Sequence, residues 1–105
     1  MKIKEANAEY TGGNIWLFYG ELTDGNFFLT DDYGWTLILN ANPSNFDEST
    51  YVEWQQEHLV KELEGNDRLE FCNQLLNWLS KHIDNCNGMT DSEIEAYRNY
   101  FKIEY

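Results

Sequence analysis

A chain of 105 residues with 42% hydrophobic and 16% aromatic content is long enough for one domain with a modest core of its own, and too aromatic for a disordered segment. Its net charge of -12 and pI near 4.3 argue against direct binding to nucleic acid or an anionic membrane, because phosphates would be repelled, and favour a basic partner. From Glu5 to Val60 there is no lysine or arginine against ten Asp or Glu, and the same stretch is crowded with aromatic residues.

The first forty residues read as strands. Lys2 to Tyr10 alternates weakly, and Thr11-Gly12-Gly13-Asn14 is a turn cluster. Ile15 to Leu22 is β-rich, and Asp24-Gly25 between two apolar runs signals a hairpin that returns through Phe27 to Thr30. Asp31-Asp32-Tyr33-Gly34 turns again into a fourth strand, Trp35 to Asn40. Short turns make neighbouring strands antiparallel, hence a meander. A two-residue turn at Asp24-Gly25 would set Leu22 opposite Phe27 and place Phe28 on the Tyr19 face.

After the loop around Pro43 the pattern becomes helical. Thr50-Tyr51-Val52-Glu53 has capping-box spacing, predicting a helix to about Leu63 that stops at Gly65. Asp67 and Glu70 repeat the spacing loosely. Leu69, Cys72, Leu75, Leu76, Leu79 and Ile83 then fall at helical intervals, and Leu69, Cys72, Leu76, Leu79 and Ile83 are expected to pack on the sheet. Thr90-Asp91-Ser92-Glu93 opens a third helix with Ile94, Tyr97 and Phe101 on one face; Phe101, Ile103 and Tyr105 also suit a short strand. The expected architecture is one α+β domain over 1–105, an antiparallel meander of about four strands packed against two or three C-terminal helices.

Strand alternation does not separate core from solvent. Trp16, Phe18 and Leu22 share one face of the second strand; Ile15, Leu17 and Tyr19 share the other. Either the sheet is wrapped or curled so that both faces are hidden, or one face keeps an apolar-aromatic patch rimmed by carboxylates, as at protein interfaces.

Catalytic and metal motifs are missing from the sequence. His58 and His82 lie on predicted helices with no motif around them, and His58 with Glu62 has the spacing of an ordinary helix-surface pair. There is no HExxH, paired CxxC or EF-hand loop, and Thr11-Gly12-Gly13-Asn14 lacks the lysine and helix of a phosphate loop. No catalytic residue, metal or cofactor is assigned. Cys72 reads as a core residue and Cys86 as a surface thiol. Met1-Lys2-Ile3-Lys4-Glu5 lacks the apolar run of a signal peptide, and no stretch approaches the roughly 18 apolar residues of a membrane span, so a cytoplasmic setting is expected.

The run Asn7-Ala8-Glu9-Tyr10-Thr11-Gly12-Gly13-Asn14-Ile15, with Gly20 to Phe28 and Glu53-Trp54-Gln55-Gln56-Glu57-His58-Leu59-Val60, resembles a family of small acidic proteins of bacterial mobile elements. The resemblance covers about the first two thirds of the chain and brings no functional residues with it. It implies a context in which small acidic proteins inhibit host defence nucleases, as anti-CRISPR and antirestriction proteins do.

The sequence therefore points to a non-enzymatic acidic module for a basic protein surface, in its narrow form a DNA mimic whose carboxylates stand in for phosphates. Candidate contacts are Asp24, Asp31, Asp32, Asp47, Glu48, Glu53 and Glu57, with Tyr33, Trp35 and Trp54 as anchors. A homodimer is compatible with this reading. The alternatives are a small structural or oligomeric domain and, less favoured, a ligand binder or enzyme.

Overall fold

The computed structural model describes residues 2–10, 16–31, 35–43, 51–86, 88 and 90–100; at 10, 16, 31, 51, 52, 86, 91 and 97–100 the description extends to the backbone alone. The fold is α+β. Strands β1 (Ile3–Tyr10), β2 (Trp16–Leu22), β3 (Phe27–Asp31) and β4 (Thr36–Leu39) form the expected antiparallel meander, and β5 (Leu59–Leu63) extends it to five strands in sequence order. Among the described residues the other elements are helices α1 (Tyr51–His58), α2 (Gly65–Ser80) and α3 (Asp91–Tyr100), with a 3-10 turn at Ile83–Cys86.

The β2–β3 turn corrects the expected register. Leu22 N–H donates to the Asn26 carbonyl at 2.8 Å and Gly25 N–H to the Leu22 carbonyl at 3.2 Å, so the loop has three residues and not two. Gly25 supplies the positive φ, 90°, that such a loop needs at its last position. The extra residue slides the return strand by one. Phe27 therefore pairs with Glu21, and Phe28 pairs with Gly20. A one-residue slip exchanges faces. Phe28 lies with Phe18 and Leu22 in the main core, away from Tyr19.

Gly20 has no room for a side chain. A Cβ there would run into the Glu5 carbonyl and stand 2.8 Å from the Ala6 Cα. Both obstacles are backbone, so β1 and β2 could not keep their spacing. The core face is otherwise built from Ala6, Ala8, Phe18, Leu22, Phe28, Ile38 and Leu63, onto which α2 lays Phe71, Cys72, Leu75, Leu76 and Leu79. Phe28 and Phe71 meet edge to face, centroids 5.1 Å apart. Ile94 of α3 closes the same cluster. Small residues on β1 leave room for the helical layer.

A polar thread crosses this core. Thr30 and Thr36 are buried opposite each other, hydroxyls 2.8 Å apart. Thr30 Oγ1 donates to the Trp35 carbonyl at 2.9 Å, and Cys72 Sγ lies 3.8 Å from Thr36 Oγ1. One assignment satisfies every group: thiol to Thr36, Thr36 to Thr30, Thr30 to the carbonyl. Cys72 is a buried free thiol, as expected.

Three helical expectations need correction. The helix opened near Thr50 does not reach Leu63; α1 ends at His58 and the chain passes directly into β5. Pairing with β4 overrides local propensity here: Leu59 lies opposite Leu39, and Asn40 N–H donates to the His58 carbonyl at 2.9 Å. His58 and Glu62 are therefore no helical pair. Gly65, with φ 57°, does not end a helix but stands at the junction from β5 into α2. Ile83 lies beyond the end of α2 and is 40% exposed, so it leaves the expected core set, whereas Leu69 packs against that core.

The third capping box forms as read. Thr90 Oγ1 accepts the Glu93 N–H at 3.3 Å and Glu93 Oε1 accepts the Thr90 N–H at 3.3 Å. The expectations for Phe101, Ile103 and Tyr105 fall outside the described residues. Among the described residues no helix is long and apolar enough to cross a membrane.

Candidate functional site

The sheet has a second face, and it is not the mirror of the first. Leu29, Leu37 and Leu39 are buried there, with Leu17, Tyr19, Phe27, Trp35 and Trp54 half-buried around them. Register explains the set. One row runs Glu5, Glu21, Phe27, Leu39, Leu59; the next runs Asn7, Tyr19, Leu29, Leu37, Glu62; a third begins Glu9, Leu17, Asp31. Each row places apolar or aromatic groups at its centre and a carboxylate at one end or both. The outcome combines the two alternatives read from the sequence. Trp54 brings α1 onto this face, and five large side chains still keep part of their surface in solvent.

The electrostatics follow from the same rows. Glu5 and Glu9 are diagonal neighbours of Tyr19 across the β1–β2 pair. Partial burial, then Glu9, then Glu5 hold the Tyr19 phenol above its ordinary range, since a phenolate would lose water and face like charge. Lys4, the extra residue of a bulge in β1, pairs with Glu21 at 3.2 Å.

The candidate contacts divide between places. Trp35 and Trp54 are brought together against the Leu29–Leu37–Leu39 cluster. Asp31 ends β3, its backbone paired with Leu17. Glu53 and Glu57 are exposed on α1, one turn apart. Asp24 stands apart at the β2–β3 turn, where its Oδ1 accepts the Asn26 N–H at 2.9 Å, so it has a turn-forming role. Asp32, Tyr33, Asp47 and Glu48 lie outside the described residues. The candidate set omitted Leu17, Tyr19, Phe27 and the rim of Glu5, Glu9, Glu21 and Glu62. Alternation from Tyr19 through Glu21 signals most of these, once a three-residue loop is assumed.

Both histidines have hydrogen-bond and ring partners among the described residues. His58 Nδ1 shares a 2.9 Å hydrogen bond with Asn40 Oδ1 and its ring lies 5.0 Å from that of Trp54. His82 stacks on Trp78 at 3.8 Å and donates Nδ1–H to the Trp78 carbonyl at 2.8 Å. Among the described residues no three His, Cys, Asp or Glu side chains gather as a metal site requires. On the opposite side of the sheet, between β5 and the start of α2, a groove of about 510 Å³ is lined by Lys61, Leu63, Asp67, Glu70, Phe71 and Gln74.

The fold and this face define a small α+β domain with a half-open, acid-rimmed aromatic sheet surface. No family model, curated protein or solved structure matches the chain.

Proposed function

We propose that the chain is a non-enzymatic, acidic protein-interaction module that takes a basic partner surface on the second face of its sheet, in a reducing cytoplasm. One observation carries the reading. Tyr19, Phe27, Leu17, Trp35 and Trp54 stay half-buried around a buried aliphatic centre while the groups beside them are carboxylates. Tyr and Trp are favoured binding anchors, and surrounding acids steer a cationic partner and fix its register. In the narrower form the partner surface is a nucleic-acid-binding groove. The chain then acts as a DNA mimic and inhibits a bacterial defence nuclease of the CRISPR or restriction type.

The test uses the purified chain as bait in a bacterial lysate at low and high salt, beside the variant Glu5→Gln/Glu9→Gln/Glu21→Gln. Partner association should slow steeply as salt rises and should slow in the variant, with dissociation less affected. Duplex DNA should compete for the partner if the mimic form is right. A partner held equally at both salts, and indifferent to the variant, would overturn the reading.

A further inference from the structure

The two edges of the sheet are finished differently. On β1 the Asn85 side chain, from the 3-10 turn, donates to the Ala6 carbonyl at 3.2 Å. On β5 four of five residues are exposed, including Leu59 at 44% and Val60 at 48%. Among the described residues no strand pairs with the outer side of β5. Alternate backbone N–H and C=O groups of an edge strand point outward and can accept another strand. Soluble proteins commonly block such an edge with charge, a bulge or a cover. β5 carries charge at Lys61 and Glu62 and a bulge at Val60, yet both of its first two residues, Leu59 and Val60, leave aliphatic surface in water.

We infer that β5 is a docking edge for an extended segment of a partner protein that alternates basic and aliphatic residues, added as a sixth strand. The chemistry on either side selects that occupant. Lys61 and Leu63 lie on the α2 side, where they line one groove with the carboxylates Asp67 and Glu70 and with Phe71 and Gln74, two acids to one base. Basic side chains of an added strand would enter that groove. Its alternate side chains would fall on the other face, beside Leu59, where the row of Phe27 and Leu39 continues. Backbone pairing gives affinity in such complexes, and the alternating pockets give specificity. A second copy fits less well. Antiparallel self-pairing about the strand centre sets Lys61 against its own copy and brings the exposed carboxylates Glu57, Glu62, Glu64, Asp67 and Glu70 of both chains together. The inference rests on the proposed function for the premise of a basic partner; its occupant pairs with the β5 edge and meets the proposed face only at the end of one row, beside Leu59.

A short peptide alternating lysine and valine, added to the isotope-labelled chain, tests it. The amides of Leu59 to Glu62 should shift and exchange more slowly with solvent. The same peptide N-methylated along its pairing edge, and a glutamate–valine peptide, should not bind. Asp67→Asn/Glu70→Gln should weaken binding by about fivefold, as expected for two partly exposed ion pairs. Equal binding by the N-methylated peptide, or no binding by the lysine–valine peptide, overturns the inference. Shifts confined to Leu17, Tyr19 and Phe27 overturn it while leaving the proposed function standing. A dimer of the free chain that the peptide dissociates would assign the edge to a second copy, which also overturns it.

Discussion

The two faces of the sheet are made from similar residues and are covered differently. On the α2 side Phe18, Leu22, Phe28 and Ile38 are all but fully buried under Leu75, Leu76 and Leu79. On the other side Leu29 and Leu39 are buried just as fully, but the aromatic side chains around them are not. Hydrophobic content alone does not distinguish the covered face from the half-open one. What distinguishes them is the residue opposite: aliphatic helix positions on one side, and Glu5, Glu9, Glu21 and Glu62 at the row ends on the other.

The largest expected difference lies between adjacent residues. Phe28→Ala should cost about 3–5 kcal/mol, because a buried ring packed on Phe71 is removed. Phe27→Ala should cost about 1–2 kcal/mol, since part of that ring already faces water. Denaturant titration of the two variants checks this. Equal losses would mean that both faces are closed cores.

A second pair sharpens the helical side. Leu76→Ala should cost about 2–5 kcal/mol, because Leu76 is fully buried in α2. Ile83→Ala, beyond the end of α2, should stay within about 0.5 kcal/mol of the parent. A thermal midpoint for Leu76→Ala no lower than that for Ile83→Ala would place α2 off the sheet.

The meander, α2 and the capping box of α3 were legible in the sequence because each is encoded by neighbours: an Asp-Gly turn, a leucine stripe, a Thr-to-Glu spacing. The face assignment was not. It turned on one extra loop residue, Thr23, which decided whether Phe27 or Phe28 enters the core. β5 was hidden for another reason. Leu59 to Leu63 is acceptable in a helix, and only the unpaired outer side of β4, far away in sequence, makes it a strand. The candidate site was half legible: Trp35 and Trp54 do share a cluster, while Asp24 serves its own turn.

Titration gives a smaller effect. The folded Tyr19 phenol is held above its ordinary range, by burial first and by Glu9 and Glu5 next. The folded state thus holds that proton more tightly than the unfolded chain does. The stability it contributes is complete below the ordinary tyrosine range, about pH 10, and is lost as pH rises through the raised value. Tyrosine-ring resonances followed against pH should show Tyr19 titrating late, and Glu5→Gln/Glu9→Gln should bring it earlier. No change in the double variant would remove the carboxylates from its surroundings.

The smallest stability effect belongs to Asp31→Asn/Asp32→Asn. It removes two like charges while changing little side-chain volume, so stability should move by no more than about 0.5 kcal/mol. Association with a basic partner should nonetheless slow at low salt. Unchanged association would confine steering to the Glu5–Glu9–Glu21 rim.

The most direct test of the central claim is one leucine-methyl spectrum of the chain, free and bound to its captured partner. The leucines divide by face: Leu17, Leu29, Leu37 and Leu39 on the acid-rimmed side, Leu22, Leu75, Leu76 and Leu79 in the helix-covered core. Binding should shift the first group and leave the second in place, with the shifts fading as salt is raised. Shifts confined to the second group, or shifts in the first that persist unchanged at high salt, would contradict the account.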